Sequence, residues 1–220
     1  MKNRSMWLAA IAVFLLAAIS TNAQGKFEVT PFVGFETGGS YPVDISSTTE
    51  LVSGLRVDNS LAFGAFFDYN LSENFQPEFM WNRNNASYSA QDASTLLYHK
   101  AYNSDIDQFQ FGGLFMFRDS EQRLRPYAAA SLGFTHDSNS ALPGSEGITS
   151  NRTAFSFSVG GGVKYSVSRH VGFRGDIRYL PTYGSSSYET YCDPFYGCYP
   201  AKVSNYLHRA SFLGGIIFKF

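Results

Sequence analysis

The sequence predicts an all-β fold: an eight-stranded antiparallel up-and-down transmembrane β-barrel, preceded by a signal peptide. Three observations carry that prediction. Apolar and polar residues alternate with a period of two in eight separate stretches, the mark of strands whose two faces meet different media. Long polar connections and short turns follow each other between those stretches, as they do in a membrane barrel. Aromatic residues crowd one parity in numbers that the interior of an eight-stranded barrel cannot hold.

Composition agrees. The 220 residues are 17% aromatic and 16% charged, with 21 Phe, 14 Tyr and 20 Gly, a mixture suited to strands and turns rather than helices. A formal net charge of -1 supplies no basic field for nucleic acid. Mean hydropathy is -0.15, which a transmembrane barrel reaches because half of every strand faces a polar lumen.

The first 23 residues stand apart. Lys2 and Arg4 precede an apolar run from Met6 to Ile19, and Ser20, Thr21, Asn22 and Ala23 follow it. This reads as a secretory signal peptide over 1–23, cleaved after Ala23, with a barrel domain over 24–220. The run is shorter than the ~20 residues that a spanning helix needs. No Cys stands directly after the cleavage site to carry a lipid.

The eight strands follow in order. The first sets Phe27, Val29, Val33 and Phe35 against Glu28, Thr30, Gly34 and Glu36, and stops at Gly38 and Gly39. After a polar loop the second, Leu55 to Tyr69, sets Leu55, Val57, Leu61, Phe63 and Phe67 against Arg56, Asp58, Ser60 and Asp68. A turn at Asn70 to Asn74 leads to the third, with Phe75, Phe79 and Trp81 opposite Gln76, Glu78 and Asn82. Residues 84–104 are polar and lack a sustained period, so they read as a long loop, with short strand extensions as the alternative. The fourth strand sets Phe109, Phe111, Phe115 and Phe117 against Gln108, Gln110 and Gly112.

A charged turn, Arg118 to Arg123, precedes the fifth strand, Leu124 to Thr135, and a loop from His136 to Arg152 follows it. The sixth sets Phe155, Phe157 and Tyr165 against Ser156, Ser158 and Lys164; the seventh sets Phe173, Ile177 and Tyr179 against Arg174, Asp176 and Arg178. The last long loop, Tyr183 to Val203, leads to the eighth strand, Tyr206 to Phe220. That loop holds Cys192 and Cys198, the two cysteines of the chain. In an oxidising compartment they are predicted to form a disulfide, worth about 2 kcal/mol for so short a ring.

Ring size fixes which face is which. Rings on this scale exposed to water would aggregate, so the aromatic parity faces lipid. The opposite parity lines the lumen, where ionised groups need partners. A lumen charge network is therefore predicted from Glu28, Arg56, Asp58, Asp68, Glu78, Lys164, Arg174, Asp176, Arg178 and Arg209. The competing reading places several of these at hydrated rims.

Little in the chain suggests chemistry. Gly160, Gly161 and Gly162 precede neither a helix pattern nor a Lys-Ser/Thr pair, so a phosphate loop is rejected. His136 beside Asp137 lacks further metal ligands. His99, His136 and His208 could lie near the outer rim, but no spacing matches a rim enzyme. No catalytic residue, cofactor or metal is expected. Tyr183, Tyr188, Tyr191, Phe195, Tyr196 and Tyr199 make the last loop either a binding surface or an extension of the interfacial belt.

The closing segment YLHRASFLGGIIFKF resembles the C-terminal strand of bacterial outer-membrane β-barrels, and Phe212, Phe218 and Phe220 match the assembly signal there. The RPYAAASLGF segment, Arg125 to Phe134, is similar to a "PY…G" strand of the OmpA/OmpX-like outer-membrane β-barrel superfamily, which the whole mature chain resembles. The resemblance implies a bacterial outer-membrane location, with long loops outside and short turns and both termini in the periplasm. It implies the lipid bilayer and the outer-membrane assembly machinery as partners, with a surface ligand possible through the loops. The function expected is a small non-enzymatic barrel with a plugged polar lumen, serving membrane integrity or surface interaction. No peptidoglycan-binding domain is expected after the barrel. A narrow channel for ions or small solutes and, less favoured, a lipid-modifying enzyme are the alternatives.

Overall fold

The computed structural model describes residues 26–44, 52–92, 98–119, 121–141, 151–183, 188–193, 197–203 and 206–220. The segment read as a signal peptide lies outside them. In chain order the strands are β1 (Phe27–Thr37), β2 (Ser40–Asp44), β3 (Val52–Val57), β4 (Ser60–Tyr69) and β5 (Phe75–Asp92). They continue with β6 (Tyr98–Met116), β7 (Leu124–Ala141), β8 (Asn151–Ser166), β9 (Val171–Tyr179) and β10 (Thr182–Tyr183). The last are β11 (Tyr188–Asp193), β12 (Gly197–Val203), β13 (Tyr206–Leu207) and β14 (Ala210–Lys219).

Eight of these are the staves of a closed antiparallel barrel. β1 pairs with β4, and the ladder then runs through β5, β6, β7, β8, β9 and β14 back to β1. Closure leaves the staves no open edge to recruit other chains. At the seam the Phe220 amide donates to the Phe27 carbonyl at 2.9 Å. Both ends of the barrel therefore lie at one rim, together with the short turns around Ser72, Asp119 and Ser168. Those turns are tied by their own backbone, as where Val167 and Ser168 both donate to the Val171 carbonyl at 3.0 Å.

The faces divide as ring size requires. Val33, Leu61 and Phe111 on the outward parity are 70%, 78% and 67% exposed, while Glu28, Asp68, Glu78 and Arg174 on the inward parity are buried. Neighbouring outward rings touch across strands, as with Phe109 and Phe134, stacked at 5.2 Å, and Phe63 and Trp81, edge-on at 6.3 Å. Among the described residues no helix is long and apolar enough to cross a membrane; the crossing elements are strands.

Glycine on the inward parity makes room for the few rings inside. A Cβ at Gly64 would stand 2.7 Å from the Phe32 ring, and one at Gly162 would stand 2.5 Å from the Tyr127 hydroxyl. Gly160 and Gly162 thus serve lumen packing, against Arg178 and Tyr127, as strand glycines commonly do.

Two expectations need correction. Residues 84–104 are largely strand: β5 and β6 stay paired from Phe75↔Phe115 to Gln91↔Tyr98. β7 likewise reaches Ala141, and β10, β11 and β12 occupy much of the last long connection. The wall extends past the lipid band, where both faces are polar. Hydrogen bonding persists there while the hydrophobic alternation that announces a strand is lost.

The second correction concerns Arg56 and Asp58, which were expected in the lumen. Asp58 and Asn59 interrupt the ladder between Val57 and Ser60, both of which are buried. Two residues between two inward ones reverse the alternation, as a bulge does. Arg56 is consequently exposed on the outside, its guanidinium carbon 6.0 Å from the Tyr98 ring centre. Asp58 is half-buried and accepts a hydrogen bond from the Ser89 hydroxyl at 2.9 Å. The interruption is held in place, since Val57 donates to the Gly39 carbonyl and Gly38 to the Asn59 side chain, both at 2.8 Å.

Candidate functional site

Register brings the lumen charges together in two rows. Glu28 on β1 lies directly opposite Asp68 on β4, which lies opposite Glu78 on β5. Across the lumen Arg125 on β7 lies opposite Lys164 on β8, which lies opposite Arg174 on β9. Like charges directly opposite on a sheet repel. Lys164 and Arg174 relieve the repulsion by reaching across the barrel to the acidic row.

The reach is short. Lys164 Nζ stands 2.6 Å from Glu28 and 2.7 Å from Asp68, and donates to Gln76 Oε1 at 2.7 Å. Arg174 uses Nη1 on Asp68 at 3.1 Å and Nη2 on Glu78 at 2.6 Å and Asp176 at 2.9 Å. Arg178 joins Glu78 at 2.7 Å and Asp176 at 2.8 Å. Tyr127 accepts from Arg174 Nε at 2.8 Å and donates to Asp176 at 2.5 Å. Every side chain in these ion pairs is at most 3% exposed. Lys219 approaches Glu28 at 4.0 Å from the rim that carries the chain ends. Arg125 turns instead to the mouth, donating to the Glu73 carbonyl at 2.7 Å.

A second group forms on the side of the first that faces the long connections. Glu36 on β1 accepts from Asn82 and Asn84 on β5, and Arg209 Nη1 stands 3.2 Å from it. Asn82 also donates to Gln108 Oε1 at 3.0 Å.

Of the residues expected in the lumen network, Glu28, Asp68, Glu78, Lys164, Arg174, Asp176 and Arg178 form one cluster, and Arg209 joins Glu36 in the other. Sequence reading missed Phe66, whose ring lies under both arginines, 3.7 Å from the Arg174 guanidinium and 4.9 Å from that of Arg178. It also missed Tyr127 and the amides at 76, 82, 84 and 108. All share the lumen parity with the charged residues, and that parity was the available signal.

Other expected features fall elsewhere. His136 Nδ1 lies 2.8 Å from the Thr153 hydroxyl. His208 is stacked on Tyr179 at 5.9 Å. The backbone register sets Cys192 directly opposite Cys198 on the β11–β12 hairpin; their side chains, that of His99 and those of the Tyr-rich loop beyond Tyr183 lie outside the described set. Phe212 and Phe218 point outward on β14, exposed to the lipid side.

Comparison with known proteins supports this architecture. Solved structures similar to the chain include the outer membrane protein OprG of Pseudomonas aeruginosa, with a TM-score of 0.65 at 13% identity, covering 89% of this chain and 96% of that one. Neisserial surface protein A matches with a TM-score of 0.54 at 16% identity over 88% and 97% of the two chains. The outer membrane protein AlkL matches with a TM-score of 0.54 at 18% identity over 91% and 93%. At these identities the likeness is one of fold. Among curated proteins no sequence match is found. The family model described as "Outer membrane protein beta-barrel domain" matches residues 8–192. With the closed barrel, the aromatic exterior and the ionised interior, that match makes the chain a member of the outer membrane protein beta-barrel domain family, resident in the bacterial outer membrane.

Proposed function

We propose that this protein is a small non-enzymatic barrel with a plugged lumen, which maintains the membrane and displays its extracellular connections for surface interaction. The observation that supports this reading is the interior itself. Seven ionised residues from five staves meet in one buried cluster, leaving charge paired with charge where a solute would have to pass. A narrow pore needs a continuous hydrated path, and ion pairs at 2.6–3.1 Å fill the place of one. The outward aromatic band takes the lipid bilayer as partner, and the C-terminal Phe residues present the assembly signal. Tyr183, exposed at the start of the last long connection, begins a ring-rich surface suited to a ligand outside the cell.

Conductance tests the plug. Purified protein in planar bilayers is expected to give no opening steps, and steady conductance in the wild type would replace this reading with the narrow-channel one.

A further inference from the structure

The two polar groups of the lumen do not meet. Between them Phe32 on β1, Phe66 on β4, Met80 on β5, Leu180 just after β9 and Leu213 on β14 form one apolar cluster, each at most 5% exposed. They come from five consecutive staves. Gly64 and Gly215 open the wall for the Phe32 ring, since a Cβ at either would stand within 3.1 Å of that side chain. The Phe66 ring packs on Phe32 at 4.5 Å and reaches across the lumen to the two arginines of β9.

The remaining arc is closed by hydrogen bonds. Gln110 on β6 lies directly opposite Met80 and accepts from the Ser131 hydroxyl of β7 at 2.8 Å. Ser131 lies 2.6 Å from Ser158 of β8. Every stave thus contributes to one continuous ring of inward side chains.

On either side of this ring, buried polar atoms lack a partner among the described residues. On the periplasmic side these are Asp68 Oδ1 and Arg178 Nη1; on the extracellular side they are Asn82 Oδ1, Asn84 Oδ1 and Gln108 Nε2. The amide orientations follow from their bonds, since both Asn Nδ2 groups are committed to Glu36. Buried donors and acceptors in such numbers are ordinarily satisfied by internal water. The apolar arc between them offers water nothing, and the polar arc that completes the ring is bonded to itself.

We propose that this apolar arc, with Phe66 at its centre and completed by the self-bonded Gln110, Ser131 and Ser158, is the barrier that closes the lumen: a dry septum between two hydrated compartments, one open to each side of the membrane. This rests on the plugged-lumen reading and names the element responsible. Ion pairs can be hydrated and exchanged by a passing ion, whereas an apolar constriction excludes water and ions together.

The test compares single-channel records in planar bilayers for the wild type, Phe66→Ala, Met80→Ser and Glu78→Gln. Each barrel is first checked for folding by its heat-sensitive migration on gels. The expected result is a silent wild type, discrete opening steps for Phe66→Ala and Met80→Ser, and no steps for Glu78→Gln. Folded Phe66→Ala and Met80→Ser barrels that both stay silent would overturn the septum, as would steps from Glu78→Gln alone. Steps from the wild type would instead defeat the plugged-lumen reading on which the septum depends. Because Met80 faces Phe66 from the next stave, failure of one variant to fold leaves the other to decide.

Discussion

Glu78 joins the two arginines of β9 from across the lumen, bonded to Arg174 through one oxygen and Arg178 through the other. Glu78→Ala takes one of their carboxylates from two buried guanidinium groups, which keep Asp176, and removing one partner of a buried pair costs up to about 3–5 kcal/mol. A lower urea midpoint for unfolding in lipid vesicles is the expected result, with Glu78→Gln falling between the variant and the wild type. Tyr127 is the only hydroxyl bridging Arg174 to Asp176 among the described residues. Tyr127→Phe should lose about 1–3 kcal/mol by the same measurement, the cost of leaving charged partners short of a hydrogen bond. At this scale the sequence was informative about charge and silent about reach. Glu28, Lys164 and Arg174 stand out on a polar parity, and ionised groups in a narrow interior must pair. Phe66 does not stand out, because it adjoins Phe67 of the lipid face and only its parity with Gly64 and Asp68 turns it inward.

Among elements, the staves within the lipid band were legible and their extensions were not. Apolar alternation exists only where the two faces differ, so β5 and β6 vanish from the pattern above Asn84 although their pairing continues. The reversal at Asp58 and Asn59 was equally hidden, since a bulge is a matter of backbone hydrogen bonding. That is why Arg56 was expected inside. The β11–β12 hairpin carries its own prediction. Cys192 and Cys198 are cross-strand partners in the register, so protein isolated without reductant should resist thiol alkylation and become reactive after reduction. Loss of the bridge should cost about 2 kcal/mol, felt at the hairpin rather than in the barrel. β14 carries another. Phe220→Ser should lower the yield of folded barrel in the outer membrane, seen as loss of the heat-modifiable band, while protein refolded directly into detergent forms the same barrel.

For the whole molecule, the arrangement of apolar outside and ionised inside determines the solvent. Mature protein should stay dispersed only with detergent or lipid, and precipitation is expected on dilution below the micelle concentration. Fold class was legible at this scale because it rests on a count: too many rings for so narrow a cylinder. The interior was less legible because it depends on which staves face each other, a property of the closed ring. The two charge rows make the consequence concrete. The acidic row sits on β1, β4 and β5 and the basic row on β7, β8 and β9, so one is completed early in the chain and the other late. A half-curled sheet holds an acidic stripe with no counterpart within range and a basic one eased only by Asp176 on its own stave. Only rolling up brings them face to face, so electrostatics penalises the unfinished intermediate and rewards the completed tube, and insertion should proceed as a single all-or-none event.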